Sequence, residues 1–210
     1  MPGRARILDI EKPGVPLARQ IVLDANILLR LSSGDARVRQ FMGRVKEAYD
    51  NGYTRPLVCI STLEECYHKI LVRSYLRDDR LNRRREEIAR REGIKNPRQV
   101  GWQLLYKDRP TAIQRYTPKV AEFLRILTSI PVIIVEPEDL AAAEHGVGPI
   151  EARMRYYANE SCLLGKDAWM VAQAERLGVY NIATLDPDLH RLGSEFTLYS
   201  IPRKELPARG

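Results

Sequence analysis

The chain has 210 residues, 44% hydrophobic and 29% charged, enough for one domain, or one domain with a sizeable insertion, around a buried core. No apolar run reaches about 18 residues and the first 20 residues lack the apolar stretch of a secretory signal, so neither a membrane span nor a signal peptide is expected, and a cytoplasmic protein is. The formal charge of +7 is uneven: residues 71–120 hold 14 Lys and Arg against 6 Asp and Glu, and the other 160 residues hold 20 against 21, so the basic excess sits in one segment, as a phosphate-contacting surface requires.

Segment 1–20 mixes Arg4, Arg6, Asp9 and Glu11 with prolines and reads as an N-terminal arm. Ile21-Val22-Leu23 is a short apolar run closed by a polar residue, the form of a buried parallel strand. A helical pattern follows over about 35–50. Leu57-Val58-Cys59-Ile60 is a second strand, and Ser61-Thr62 can cap a helix over about 62–78. Segment 79–110 is rich in Arg, weak in apolar periodicity and broken by Gly93, Pro97, Gly101 and Pro110; it reads as an inserted helical excursion. Helices are expected over about 111–128, 138–145, 149–160 and 167–177. Strands are expected at Val132–Val135, at Val179–Ala183 and, more weakly, at Phe196–Ile201. Residues 202–210 read as a C-terminal tail. Strands alternating with helices predict a three-layer α/β/α sandwich over 21–201, with four or five mainly parallel strands. Its site should lie beyond the strands' carboxyl ends.

Four carboxylates fall where strands end or helices begin. Asp24 follows Ile-Val-Leu, and Asp186 follows Ile-Ala-Thr-Leu. Asp167 opens a helix whose positions 167, 170, 171 and 174 share one face, so it heads an apolar stripe. Glu64 and Glu65 are adjacent on a third element; the stripe of Leu63, Tyr67 and Ile70 leans toward Glu64 as the inward residue. Simpler readings stand beside these: Asp24 as a helix cap, with Asn26 capping the next helix in the alternative, and Asp186-Pro187-Asp188 as a turn. Desolvated carboxylates are costly unless neutralised, and a hard divalent cation such as Mg²⁺ or Mn²⁺ suits an all-oxygen donor set. Cys59, Cys66 and Cys162 have no paired spacing, and His68, His145 and His190 are dispersed, so neither a disulfide framework nor a zinc site is expected.

The order strand-Asp, helix-Glu, helix-Asp, strand-Thr-x-Asp resembles the PIN-domain ribonucleases, among them the VapC-type toxins. Val22-Leu23-Asp24-Ala25-Asn26, Glu65-Cys66-Tyr67-His68-Lys69-Ile70, Lys166-Asp167-Ala168 and Thr184-Leu185-Asp186-Pro187-Asp188-Leu189 carry it, and it covers roughly 21–75 and 125–200. The resemblance selects Glu65 over Glu64, because Leu63, Cys66 and Ile70 stand where the family places apolar neighbours. It implies an Mg²⁺- or Mn²⁺-dependent endoribonuclease with Asp24, Glu65, Asp167 and Asp186 as metal ligands and catalytic residues. Asn26, Thr184 and Asp188 would orient them. RNA would lie along the basic segment at Arg83, Arg84, Arg85, Arg90 and Arg91. A homodimer and a protein antitoxin or inhibitor are the partners it suggests. The basic excursion and the N-terminal arm depart from the compact toxins of the family. A phosphatase of the haloacid-dehalogenase kind would need a second Asp at position 26, where this chain has Asn. A PIN-like RNA-binding or assembly module without turnover is the other reading. The excursion could instead dock a partner through Trp102, Leu104, Leu105 and Tyr106.

Overall fold

The computed structural model describes residues 4–76, 79–142 and 149–202. The tail expected over 202–210 lies, beyond Pro202, outside the described residues, as do His145 and the end of the helix expected over 138–145. The chain divides into two compact units, residues 1–64 with 127–210 and residues 65–126.

The larger unit begins with β1 (Arg6–Asp9), β2 (Gln20–Leu23), α1 (Ala25–Ser32), α2 (Ala36–Asp50) and β3 (Arg55–Cys59), from which α3 (Ile60–Leu76) departs. The smaller unit contains α4 (Asp79–Arg91), α5 (Trp102–Asp108) and two 3-10 turns, Pro97–Gln99 and Pro110–Tyr116; α6 (Thr117–Thr128) closes it. The larger unit resumes with β4 (Ile133–Val135), α7 (Pro137–Ala142), α8 (Ile150–Glu160), α9 (Gly165–Arg176), β5 (Asn181–Ala183), a 3-10 turn at Pro187–Arg191, and β6 (Thr197–Ser200).

Among the described residues six strands form one all-parallel sheet in the order β1-β6-β5-β2-β3-β4. Six replaces the expected four or five, and the added strand lies in the segment expected to be an arm. Arg6 and Ile7 are exposed and Leu8 and Asp9 half-buried, so this edge strand has no apolar run to announce it. The rest of the segment is pinned by side chains distant in sequence. Arg44 of α2 donates to the carbonyls of Lys12 and Pro13 at 2.9 and 2.8 Å and of Ile10 at 2.9 Å. The Tyr199 hydroxyl accepts from the Ala18 N–H at 2.8 Å and donates to the Pro16 carbonyl at 3.0 Å.

Side chains alternate across the sheet. Val22, Leu57, Cys59, Ile182 and Leu198 form one core with Tyr157 of α8 and Met170, Val171 and Ala174 of α9. Tyr199, pointing the other way from Leu198, meets Phe41 of α2 at 5.9 Å between ring centroids. Helices therefore cover both faces, consistent with three layers. Desolvation pushes the buried Cys59 thiol up to about 12, which fits an inert core residue. Asp35 caps α2 by accepting from the Arg37 N–H, and the Arg37 guanidinium beside it lowers its carboxyl to about 2.

The smaller unit has its own core of Ile88, Ala89, Val100, Leu105 and Tyr116. The excursion expected over about 79–110 thus belongs to a folded unit with wider bounds. Leu105 is buried in that core and Leu104 packs against it, so the expected surface patch is reduced to Trp102 and Tyr106. Asp108 joins α5 to α4: its carboxylate accepts from Arg84 at 2.7 and 3.1 Å and from Arg91 at 3.0 Å. Those guanidiniums, Arg84 first, hold the Asp108 carboxyl below the usual carboxylate range. Among the described residues, no helix is long and apolar enough to cross a membrane.

Candidate functional site

From β2 the chain proceeds through β3 to β4 on one side, whereas β5 and β6 lie on the other. The topological switch point of this parallel sheet is therefore between β2 and β5, the position beyond whose carboxyl ends sheets of this kind bind ligands. Leu23 and Ala183 pair there as the last residues of their strands. Asp24 and Thr184 are the first residues past them.

Asp24 occupies the N-cap position of α1, but its side chain makes no capping hydrogen bond. Its Oδ2 accepts from the Thr184 hydroxyl at 2.7 Å and from the Asn26 amide at 2.5 Å. The capping reading thus holds for the backbone and fails for the carboxylate. Asn26 does not cap a helix either. Its Oδ1 accepts from the Leu185 N–H at 2.8 Å, and its Nδ2 also reaches Thr184 Oγ1 at 3.2 Å. Thr184, fully buried, is the hub, because it donates to Asp24 while accepting from the Asp186 N–H at 2.9 Å.

Asp186 is half-buried and caps the following 3-10 turn by accepting from the Asp188 N–H at 2.8 Å, so the turn reading holds. Asp188 is engaged elsewhere: its Oδ1 accepts from Arg191 Nη2 at 2.8 Å, while Arg191 Nη1 donates to the Cys162 carbonyl at 3.0 Å. Arg191, which the sequence did not single out, thus ties the Asp188 turn to the α8–α9 connection. That connection contains Cys162 at φ 51°, a strained value for a residue with a Cβ.

Asp167 is the third residue of α9, half-buried in its first turn, and Met170, Val171 and Ala174 below it are buried as the periodicity predicts. The C-terminal end of helix α9 is fixed twice. Arg153 of α8 grips Glu175 through two hydrogen bonds of 2.6 and 2.8 Å while its guanidinium lies 4.2 Å from the Tyr156 ring centroid. Gly178, at φ 68°, ends the helix with its N–H on the Glu175 carbonyl at 2.8 Å, and Val179 donates to Ala174 at 2.9 Å. These paired bonds close a Schellman turn that leads into β5.

On α3, Glu64 is exposed and Glu65 half-buried, an exposure difference in the direction opposite to the periodicity. Glu65 forms an ion pair with Lys69, one turn on; the i, i+4 spacing was present in the sequence but not used. Of the five arginines expected to contact RNA, Arg83 and Arg90 are exposed and Arg85 is half-buried. Arg84 pairs with Asp108 and Glu87, and Arg91 with Asp108 and Glu92. Those two therefore support the fold of their unit.

The sheet end thus brings Asp24, Asn26, Thr184 and Asp186 into one hydrogen-bonded network. Among the described residues, no group of three or more His, Cys, Asp or Glu is gathered closely enough to hold a metal ion. The chemistry of the donor set nonetheless suits a hard cation: an oxygen-only cluster led by a carboxylate 6% exposed, oriented by two neutral donors. No family model matches this sequence, and no curated protein shows significant similarity to it.

Thr184→Val keeps the shape of the hub and removes its hydroxyl. It leaves Asp24 without one donor and the Asp186 N–H without its acceptor, which should cost about 2–4 kcal/mol. A thermal melt checks this; an unchanged Tm would show that the network contributes little.

Proposed function

We propose that this chain is a metal-dependent ribonuclease of PIN type, with its centre at the β2–β5 switch point. The observation that carries this reading is the Asp24 carboxylate, buried at a strand end and oriented by the Thr184 hydroxyl and the Asn26 amide. A carboxylate held this way without a capping role is a costly arrangement for structure alone. Asp24, Asp167 and Asp186 would hold Mg²⁺ or Mn²⁺, and the resemblance adds Glu65 as a ligand. When bound, such an ion lowers the pKa of a water and stabilises the charge of an in-line phosphodiester displacement.

The chain's own residues supply the rest. Thr184 and Asn26 fix the Asp24 carboxylate so that ordering it costs little on binding. Asp167 brings its charge to the helix N-terminus, where the dipole stabilises an anion. Lys69 neutralises the Glu65 carboxylate. Arg83 and Arg90 are the exposed guanidiniums best placed to neutralise RNA phosphates, whereas reversal of Arg84 would also break the Asp108 link.

Incubation of the full chain with unstructured and structured RNAs, in Mn²⁺ or in chelator, tests the proposal. Cleavage in Mn²⁺ alone is the expected result. Binding without cleavage under both conditions would instead support an RNA-binding module without turnover. Within the same assay Glu65→Gln should slow cleavage by roughly 100-fold, the scale of losing one electrostatic contributor, and Glu64→Gln should have little effect. The reverse ranking would return the role to Glu64.

A further inference from the structure

The smaller unit carries an exposed aromatic group on its surface. Trp102 and Tyr106 stand one helical turn apart on α5, and His68 of α3 completes the group. His68 meets Trp102 edge-on, with centroids 4.9 Å apart and planes at 78°. Trp102 and Tyr106 are 6.2 Å apart and tilted at 51°. At these angles none of the three rings lies flat on another. Tyr106 is 39% exposed, His68 is exposed and Trp102 half-buried. Leu105, about 100° round the helix from Tyr106, is sunk in the unit's core at 1% exposure. Asp108 at the end of α5 is held by two arginines of α4. The aromatic face is thus presented on a fixed helix.

Its surroundings select the occupant. Residues 65–126 hold 16 Lys and Arg against 8 Asp and Glu, a balance of +8 in a chain of +7. A protein partner of ordinary composition gains nothing from that field, whereas a polyanion does. Aromatic rings beside cationic groups are how single strands are held without reading sequence, because every base offers a π face. In duplex RNA those faces are already stacked, and side chains meet phosphates and 2′-hydroxyls instead.

We propose that Trp102 and Tyr106, with His68 at their edge, form a base-stacking platform that selects single-stranded RNA over duplex. This adds a binding surface within residues 65–126 to the ribonuclease reading, and it rests on that reading only in taking RNA as the polyanion.

The test is binding of the full chain to a labelled single-stranded RNA and to its duplex, in chelator so that neither metal nor cleavage contributes. The parent should prefer the single strand. Tyr106→Ala and Trp102→Ala should each weaken single-strand binding roughly 5- to 100-fold, as loss of one stacked base does, and leave duplex binding unchanged. Tyr106→Phe and Trp102→Phe, which keep a ring, should retain most of it. The salt dependence should persist in the alanine variants, since stacking releases no counterions, and should flatten in Arg83→Glu. Because Trp102 is half-buried, Tyr106→Ala is the decisive variant if Trp102→Ala does not fold. Equal affinity for both RNAs in the parent, or single-strand binding untouched by Tyr106→Ala, would overturn the proposal. So would a change of molecular mass in solution on Tyr106→Ala without loss of RNA affinity, which would assign the face to a second copy of the chain. Cleavage that survives such a result would leave the ribonuclease reading standing. Ring-dependent binding without metal-dependent cleavage would fail that reading and keep the platform.

Discussion

Asp24→Asn should lower Mn²⁺-dependent RNA cleavage by roughly 100- to 1,000-fold while leaving the fold intact, the loss expected when one electrostatic contributor of a catalytic site is removed. The substitution keeps an acceptor for the Thr184 hydroxyl, 2.7 Å away, and removes only the charge. Folding stability should hold or rise, because a desolvated anion is replaced by a neutral amide. Mn²⁺ affinity should fall in parallel with rate, whereas RNA affinity in chelator should not, since the basic unit lies in residues 65–126 and Asp24 does not. Cleavage at the parent rate would remove Asp24 from the chemistry. A collapsed Tm with unchanged specific activity in the surviving protein would reduce it to a structural role.

Glu175→Ala should be strongly destabilising although it removes a polar side chain outside the switch point. The Glu175 side chain is 8% exposed and takes two hydrogen bonds from Arg153. Removing one partner of a buried pair leaves the other uncompensated and costs about 3–5 kcal/mol. Arg153 is 26% exposed and can turn partly to water, so the effect should lie near the lower bound. For a chain of this length that corresponds to a Tm drop of roughly 10 °C. Arg153→Met combined with Glu175→Met should recover much of the loss, because a buried pair is often replaceable by apolar packing. Failure of the double variant to recover would show that the stacking of Arg153 on Tyr156, at 4.2 Å, matters more than its charge.

The parallel sheet was legible wherever a strand is buried on both faces. Ile21-Val22-Leu23 and Leu57-Val58-Cys59 are continuous apolar runs because helices cover both sides. Strand β1 was not, since an edge strand half open to water needs no such run, and its anchors, Arg44 and Tyr199, lie far along the sequence. The position of Asp24 past its strand was legible from the abrupt end of the apolar run. The contact of Asn26 with Asp24 was named by the resemblance alone; read residue by residue, Asn26 was a helix cap, because its other partners Thr184 and Leu185 stand 158 and 159 residues away. In the basic segment composition gave the net field correctly, but it could not tell the exposed Arg83 from Arg84 and Arg91, whose shared partner Asp108 is 24 and 17 residues distant. Leu105 was misplaced for a related reason: a short helix broken by Gly101 and Pro110 has too few turns for periodicity to name its inner face.

The chemistry of the product ends tests the central proposal most directly. Asp24 and Asp186 would hold a cation that activates water for in-line attack at phosphorus, which with the 3′-oxygen as leaving group gives a 5′-phosphate and a 3′-hydroxyl, whereas attack by the RNA's own 2′-hydroxyl leaves a 2′,3′-cyclic phosphate and needs no metal. End mapping of a single-stranded RNA cut by the purified chain in Mn²⁺ should therefore give 5′-phosphate and 3′-hydroxyl termini, absent in chelator and absent with Asp24→Asn. Cyclic phosphate ends, or cutting that persists in chelator, would contradict it.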